Sequence, residues 1–233
     1  MTKAVFFDWF NTLAQYYPPR EEMQANACHE VGIEVAKERL TRGLLLADEF
    51  YINENARSPI KNRPLKDQME VYAQYQRTVL QEGGVQISDE IALRIMQKLG
   101  GVFSKLNFVL FDDVLPTFDL LKKRGLVLGL ISNIERDIMP SCQELGLAPY
   151  LDFVVTSKEV GWNKPHPPIF LAALDRAGLK ASQALYVGDQ HNVDIVGARG
   201  VGMKAILLDR YDFFPEITDC PRIKTLAEVV EHL

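Results

Sequence analysis

Four short stretches of the chain carry residue types that could do chemistry together. Asp8 ends the run Ala4-Val5-Phe6-Phe7 and is followed by Trp9-Phe10-Asn11-Thr12. Ser132 and Asn133 follow the run Leu126–Ile131. Lys164 precedes Pro165, in the polar stretch that begins after Phe153–Val155. Asp189 follows Gly188 at the end of the run Ala184–Val187, with Asp194 five residues on. Three carboxylates brought together repel one another and stay ionised only if a cation balances them. Mg²⁺ suits such a group, because it takes carboxylate oxygens and keeps waters for a substrate phosphate. Lys164 and Ser132 add a positive charge and a donor for an anionic group. The expected cofactor is therefore Mg²⁺, and the expected ligand is a small anionic molecule.

These stretches need a scaffold that brings them to one place. The runs Ala4–Phe7, Leu126–Ile131, Phe153–Val155, Ala184–Val187 and Ala205–Leu208 are short and apolar, as buried strands are. From Leu126 onward, helix-length segments separate them. Strands alternating with helices predict an α/β fold with a parallel sheet covered on both faces. Ligands in such sheets bind beyond the carboxyl ends of the strands, where all four stretches would lie. Between the first run and the second the pattern changes. From Arg20 to about Phe108 no convincing strand is visible, while Glu30–Tyr51, Lys66–Gln81 and Ser88–Leu99 have helical spacing. Ser88-Asp89-Glu90 reads as a cap with an acidic first turn. A helical domain inserted after the first strand is expected.

Composition excludes several classes. In 233 residues there are 26 Lys and Arg against 31 Asp and Glu, a formal net charge of −5 with no basic run. That gives no footprint for nucleic acid or for an anionic membrane. No apolar stretch approaches the ~18 residues of a membrane span. Three widely separated cysteines, Cys28, Cys142 and Cys220, suggest neither a disulfide framework nor a zinc site. The first residues carry no apolar signal region, so cytoplasm is the expected compartment.

The ordered motifs resemble those of the haloacid dehalogenase superfamily of hydrolases. The resemblance covers residues 1–13 and about 109–233. It rests most on Ser157-x-Glu159-x-Gly161-x-x-Lys164-Pro165 and on Gly188-Asp189…Asp194…Gly197-Ala198-Arg199. It implies a Rossmann-like parallel-sheet core of residues 1–14 and 109–233, with an α-helical cap of residues 15–108. It implies further that Asp8 is a nucleophile forming a covalent aspartyl intermediate. Thr12, Ser132 and Asn133 would bind the substrate's anionic group, and Lys164 would neutralise nucleophile and substrate. Mg²⁺ would be held by Asp8, Asp189 and the backbone carbonyl of Phe10, with Asp194 supporting it from nearby.

Phe10 departs from the phosphatase pattern. Phosphatases of this superfamily carry a second Asp there, which protonates the leaving alcohol and then activates water. Losing a general acid–base typically costs about 10²–10⁴-fold. The expected activity is Mg²⁺-dependent hydrolysis of a small phosphorylated metabolite with a good leaving group. The alternatives are a 2-haloacid dehalogenase, whose halide needs no proton, and a catalytically weakened binding or regulatory protein. The dehalogenase branch has an aromatic residue where Phe10 stands and uses a cap arginine, for which Arg39 or Arg42 is available. It works without metal, has a Ser/Asn-rich fourth motif, and carries a Tyr six residues after the lysine, where this chain has Phe170. A phosphonate-cleaving reading would need a cap lysine such as Lys37, Lys61 or Lys66, none of which lies in a motif. His191 could replace the missing base, although a loop histidine is more often solvated. Phe50, Tyr51, Tyr72 and Tyr75 read as cap core, and Cys28 as a small apolar filler.

Overall fold

The computed structural model describes residues 1–103, 107–134 and 136–233. In chain order the strands are β1 (Ala4–Phe7), β2 (Ala14–Tyr17), β3 (Asn107–Leu110), β4 (Val127–Ser132), β5 (Phe153–Thr156), β6 (Ala184–Gly188), β7 (Lys204–Leu208) and β8 (Arg222–Ile223). Six of them form one sheet in the order β5-β4-β1-β6-β7-β8, and every neighbouring pair is parallel. β1 lies inside this sheet and all four of its residues are buried. Its side chains alternate between two cores. Val5 and Phe7 join Phe118, Leu121, Leu130 and Leu185, while Ala4 and Phe6 join Ile131, Phe170, Tyr186 and Leu207. A strand with apolar residues on both faces needs cover on both, which explains its unbroken apolar run.

The chain divides into two compact units. One comprises Met1–Gln15 and Phe108–Leu233, and the other comprises Tyr16–Asn107. The first unit holds the six-stranded sheet and the helices α5 (Val114–Lys123), α6 (Met139–Glu144), α7 (Ser157–Val160), α8 (Pro167–Ala177) and α9 (Val196–Gly200), numbered after the four of the second unit. The second unit is helical: α1 (Arg20–Glu30), α2 (Thr41–Arg57), α3 (Leu65–Glu82) and α4 (Asp89–Phe103). Its core includes Cys28, Leu40, Leu44, Ala47, Val79 and Ile95. β2 and β3 form a separate two-stranded sheet, by which the chain leaves the first unit and returns to it.

The structure corrects the helix expected over Glu30–Tyr51. α1 starts ten residues earlier and ends at Glu30, a short 3₁₀ turn covers Lys37–Arg39, and α2 begins at Thr41. Gly32 takes φ 87°, a left-handed conformation that stops α1 and that glycine adopts without a Cβ clash. The region read as free of strands ends in β3, where Asn107-Phe108-Val109-Leu110 pairs with β2. The cap at Ser88 is present, with Ile91 N–H donating to Ser88 Oγ at 3.4 Å.

Glycine at position 129 is a packing requirement. A Cβ there would lie 2.4 Å from the Phe153 ring and 3.0 Å from the Phe6 ring, two rings that meet edge to face at 5.3 Å. Gly129→Ala should therefore destabilise the first unit by about 1–3 kcal/mol through overpacking. Urea denaturation should show a lowered midpoint, and an unchanged midpoint would contradict this packing account.

Candidate active site

Parallel pairing brings the motif residues to one edge of the sheet. Phe7 pairs with Val187 of β6 and with Leu130 of β4, so Asp8 leaves β1 beside the ends of both neighbours. Asp8 N–H still donates to Val187 O at 2.9 Å. Ser132 is the buried last residue of β4. Gly188 closes β6, and Asp189 is the next residue. The oxygens of Asp8, Asp189 and Asp194 lie within 4.8 Å of one another.

Lys164 is the cation at the centre of this group. Its Nζ donates to Asp8 Oδ1 at 2.5 Å, to Asp194 Oδ1 at 2.7 Å and to the Tyr186 hydroxyl at 3.0 Å. The lysine side chain is 3% exposed and that of Asp8 10%. Burial pushes the Asp8 carboxyl up to about 6, while the Lys164 charge pulls it down and the Asp194 charge pushes it up. Burial opposes the charge on Lys164, but Asp194 and Asp8 outweigh it and hold the ammonium above its ordinary range. Burial, with the Asp194 and Asp8 charges, keeps the Tyr186 phenol protonated well above its usual limit. Its O–H donates to Asp194 Oδ1 at 3.0 Å. Three carboxylates facing one ammonium leave excess negative charge and hard oxygen donors, which fit a divalent cation.

The remaining motif residues take particular places. Thr12 is fully buried and donates from Oγ1 to Asp189 Oδ1 at 3.3 Å. Asn11 ahead of it has φ 59°, a left-handed conformation that Asn tolerates better than most side chains. Asn133, one of the residues expected to bind the anionic group, brackets the lysine backbone. Lys164 N–H donates to Asn133 Oδ1 at 2.6 Å, and Asn133 Nδ2 donates to Lys164 O at 3.0 Å. Asp194 uses both oxygens on protein, since its Oδ2 accepts from Gln190 N–H at 3.1 Å. It lies where a Cβ on Gly188 would sit, 2.4 Å from that point, so a glycine must end β6.

Other candidates fall elsewhere. His191 Nε2 bonds Asp219 Oδ1 at 2.9 Å, and Arg199 Nη1 holds Asp219 Oδ2 at 2.9 Å. Cys220 completes a second group of donors with His191 and Asp219, but the Arg199 charge beside Asp219 disfavours a cation there. Arg39 is exposed, and Arg42 pairs with Glu82 at 3.5 Å. Tyr75 packs against the core of the helical unit, and with Tyr51 and Tyr72 it also lines a cavity of about 430 Å³ there, where Arg20 and Asp48 pair at 2.5 Å. Cys28 is buried, as expected of a filler. Phe10 belongs to an aromatic group, its ring 6.5 Å from that of Phe108, which also meets Trp9 at 5.3 Å. Tyr186 was not visible from sequence, because one tyrosine in an apolar strand run gives no sign of what its hydroxyl meets.

Comparison with known proteins adds independent findings. A family model described as haloacid dehalogenase-like hydrolase matches residues 2–202. The ribulose-1,5-bisphosphate 5-phosphatase of Halopiger xanaduensis is 30% identical over 216 residues, covering 90% of this chain and 85% of that protein. The bovine (Bos taurus) haloacid dehalogenase-like hydrolase domain-containing protein 3 is 32% identical over 54% of this chain, and the match spans about half, 51%, of that protein. The crystal structure of a 2-haloacid dehalogenase from Pseudomonas syringae pv. Tomato superposes with a TM-score of 0.57 at 27% identity, covering 99% of this chain and 97% of that one.

The buried ammonium makes a direct prediction. Lys164→Met leaves Asp8 and Asp194 facing each other without their cation, which should cost about 3–5 kcal/mol in metal-free buffer. Adding Asp194→Asn should recover part of that loss. Urea denaturation of the single and double variants checks both statements, and equal stability of parent and Lys164→Met would refute the first.

Proposed function

The chain belongs to the haloacid dehalogenase-like hydrolase family, and we propose that it hydrolyses a small phosphorylated molecule through a covalent intermediate on Asp8. The observation that carries this reading is the Lys164 ammonium held between Asp8 and Asp194, with Asp189 in the same group. Lys164 keeps the nucleophile ionised despite burial and offers charge to an incoming anion. The Asp8 carboxylate attacks phosphorus, and the bond to the leaving oxygen breaks with its electron pair going to that oxygen. Water then attacks phosphorus of the aspartyl phosphate, releasing phosphate and restoring the carboxylate. Ser132 supplies a hydroxyl donor for the phosphoryl oxygens, while the Thr12 hydroxyl holds Asp189. Asp8, Asp189 and the Phe10 carbonyl, with Asp194 in support, would hold Mg²⁺, which would supply charge neutralisation for the transferring group.

Phe10 shapes the substrate range. No side chain at that position can protonate the leaving oxygen, and His191 is engaged with Asp219. The group displaced from phosphorus must therefore depart as a stable anion, as from an acyl or aryl phosphate. The helical unit is proposed to serve as the cap that selects among such compounds. Two features favour a 2-haloacid dehalogenase instead: the aromatic residue at position 10 and the structural neighbour of that name. Against it stand Asp189 within the carboxylate group, the pairing of Arg42 with Glu82, and Phe170, which is buried against Tyr186 at 5.3 Å.

Asp8→Asn should abolish turnover of any phosphate ester the parent cleaves, and mutant activity within about tenfold of the parent would refute the assignment. Rates of the parent should rise steeply as leaving-group pKa falls, because departing charge is not met by an acid. A panel of sugar, aryl and acyl phosphates, with and without Mg²⁺, measures that slope. Equal chemical rates across the panel would show that another group supplies the proton. Metal-free turnover of a 2-haloacid alone would establish the dehalogenase reading. Beryllium fluoride binding without turnover of any compound would mark a binding protein.

A further inference from the structure

We propose that Arg210, which lies outside all the motifs, is a positioning residue that sets the shape of the loop bearing Asp8 and Thr12. Arg210 follows β7 by two residues, and its side chain is 11% exposed. Its Nη2 donates to Thr12 O at 2.8 Å. The same guanidinium forms a fork on Asp113, with Nη1 to Oδ2 at 2.8 Å and Nη2 to Oδ1 at 3.0 Å. Its carbon lies 4.0 Å from the centre of the Phe111 ring. Asp113 Oδ2 also accepts Leu226 N–H at 2.8 Å, so the fork is itself anchored. Burial opposes ionisation of Asp113, but the bonds from Arg210 and Leu226 keep its carboxyl below the usual range.

The accounting of loop carbonyls shows what Arg210 adds. Trp9 O accepts Leu13 and Ala14 N–H at 2.9 and 3.0 Å, Ala14 O accepts Asn11 N–H at 2.7 Å, and Leu13 O accepts Phe111 N–H at 3.1 Å. Those bonds close the loop from within and tie it to the segment after β3. Thr12 O is fixed by Arg210, just beyond β7, two strands from β1 in the sheet. Thr12 reaches Asp189 through its hydroxyl, so the guanidinium holds by its backbone the residue that links the first motif to the last. Only a planar fork can grip Asp113 bidentately and reach a third acceptor. A lysine offers a point charge and loses that geometry.

The proposal rests on the reading of Asp8 and Thr12 as the reacting loop, and one arm of its test is independent of that reading. The variants are Arg210→Met and Arg210→Lys. Arg222→Met serves as the comparison, because Arg222 pairs with buried Asp209 at 2.9 Å and has no contact with the loop among those described. Amide hydrogen exchange at Leu13 and Ala14 should quicken by about tenfold or more in Arg210→Met and by less in Arg210→Lys. Arg222→Met should lower the melting temperature without quickening exchange at those two amides. With para-nitrophenyl phosphate and Mg²⁺, kcat should fall about 10–100-fold in Arg210→Met, as for a misplaced reacting group. KM should stay within about threefold, and Arg210→Lys should recover part of kcat. Should Arg210→Met fail to fold, Arg210→Lys carries both readouts. Unchanged exchange in the Arg210 variants, or an equal loss of kcat in Arg222→Met, would overturn the proposal. Absence of turnover by the parent would instead count against the phosphatase reading, and the exchange arm would still decide the role of Arg210.

Discussion

The Lys164 ammonium lies between the carboxylates of Asp8 and Asp194 at 2.5 and 2.7 Å, buried from water. Three charges in such a place are tolerable only when each is paired and hydrogen-bonded. The surroundings meet that demand in detail. Tyr186 offers its hydroxyl to both Lys164 and Asp194, Gln190 N–H caps the other Asp194 oxygen, and Asn133 grips the lysine backbone from two sides. Gly188 leaves the space that Asp194 fills. Remove the ammonium and the sheet edge holds only repelling carboxylates.

The rest of the first unit can be understood as what brings these groups together. Asp8, Asp194 and Lys164 are far apart in the chain, and parallel pairing of β1 with β4 and β6 sets their alignment. Two apolar cores clamp β1 from either face, so a one-residue register slip would force each side chain into the opposite core, which is packed for a different one. The carboxyl ends of the strands then form a platform, and the gathered charged side chains occupy the short segments beyond it. Phe10, which departs from the phosphatase pattern that the motifs resemble, joins an aromatic group with Trp9 and Phe108.

Much of this is legible in the residues. Apolar runs ended by Asp8, Ser132 and Gly188 announce the strands and the charged group at their ends together, since hydrophobic pattern and strand end coincide. Other features escape because they depend on distant partners. The break at Gly32 resembles a tolerated glycine in a helix until its φ is known. Asn133 carries the same amide whether it meets substrate or the Lys164 backbone. Tyr186 and Arg210 sit in or just after apolar strands, and nothing local says that one hydroxyl meets Lys164 or that one guanidinium reaches Thr12. β8 has two residues, too few for any periodicity.

The central claim is that Asp8 becomes covalently phosphorylated during turnover. The direct measurement is acid quenching of the protein during steady turnover of an acyl or aryl phosphate with Mg²⁺, followed by peptide mass mapping. The account predicts one added phosphoryl group on the peptide containing Asp8, absent when substrate is omitted. Full product release with that peptide unmodified at every quench time would contradict it.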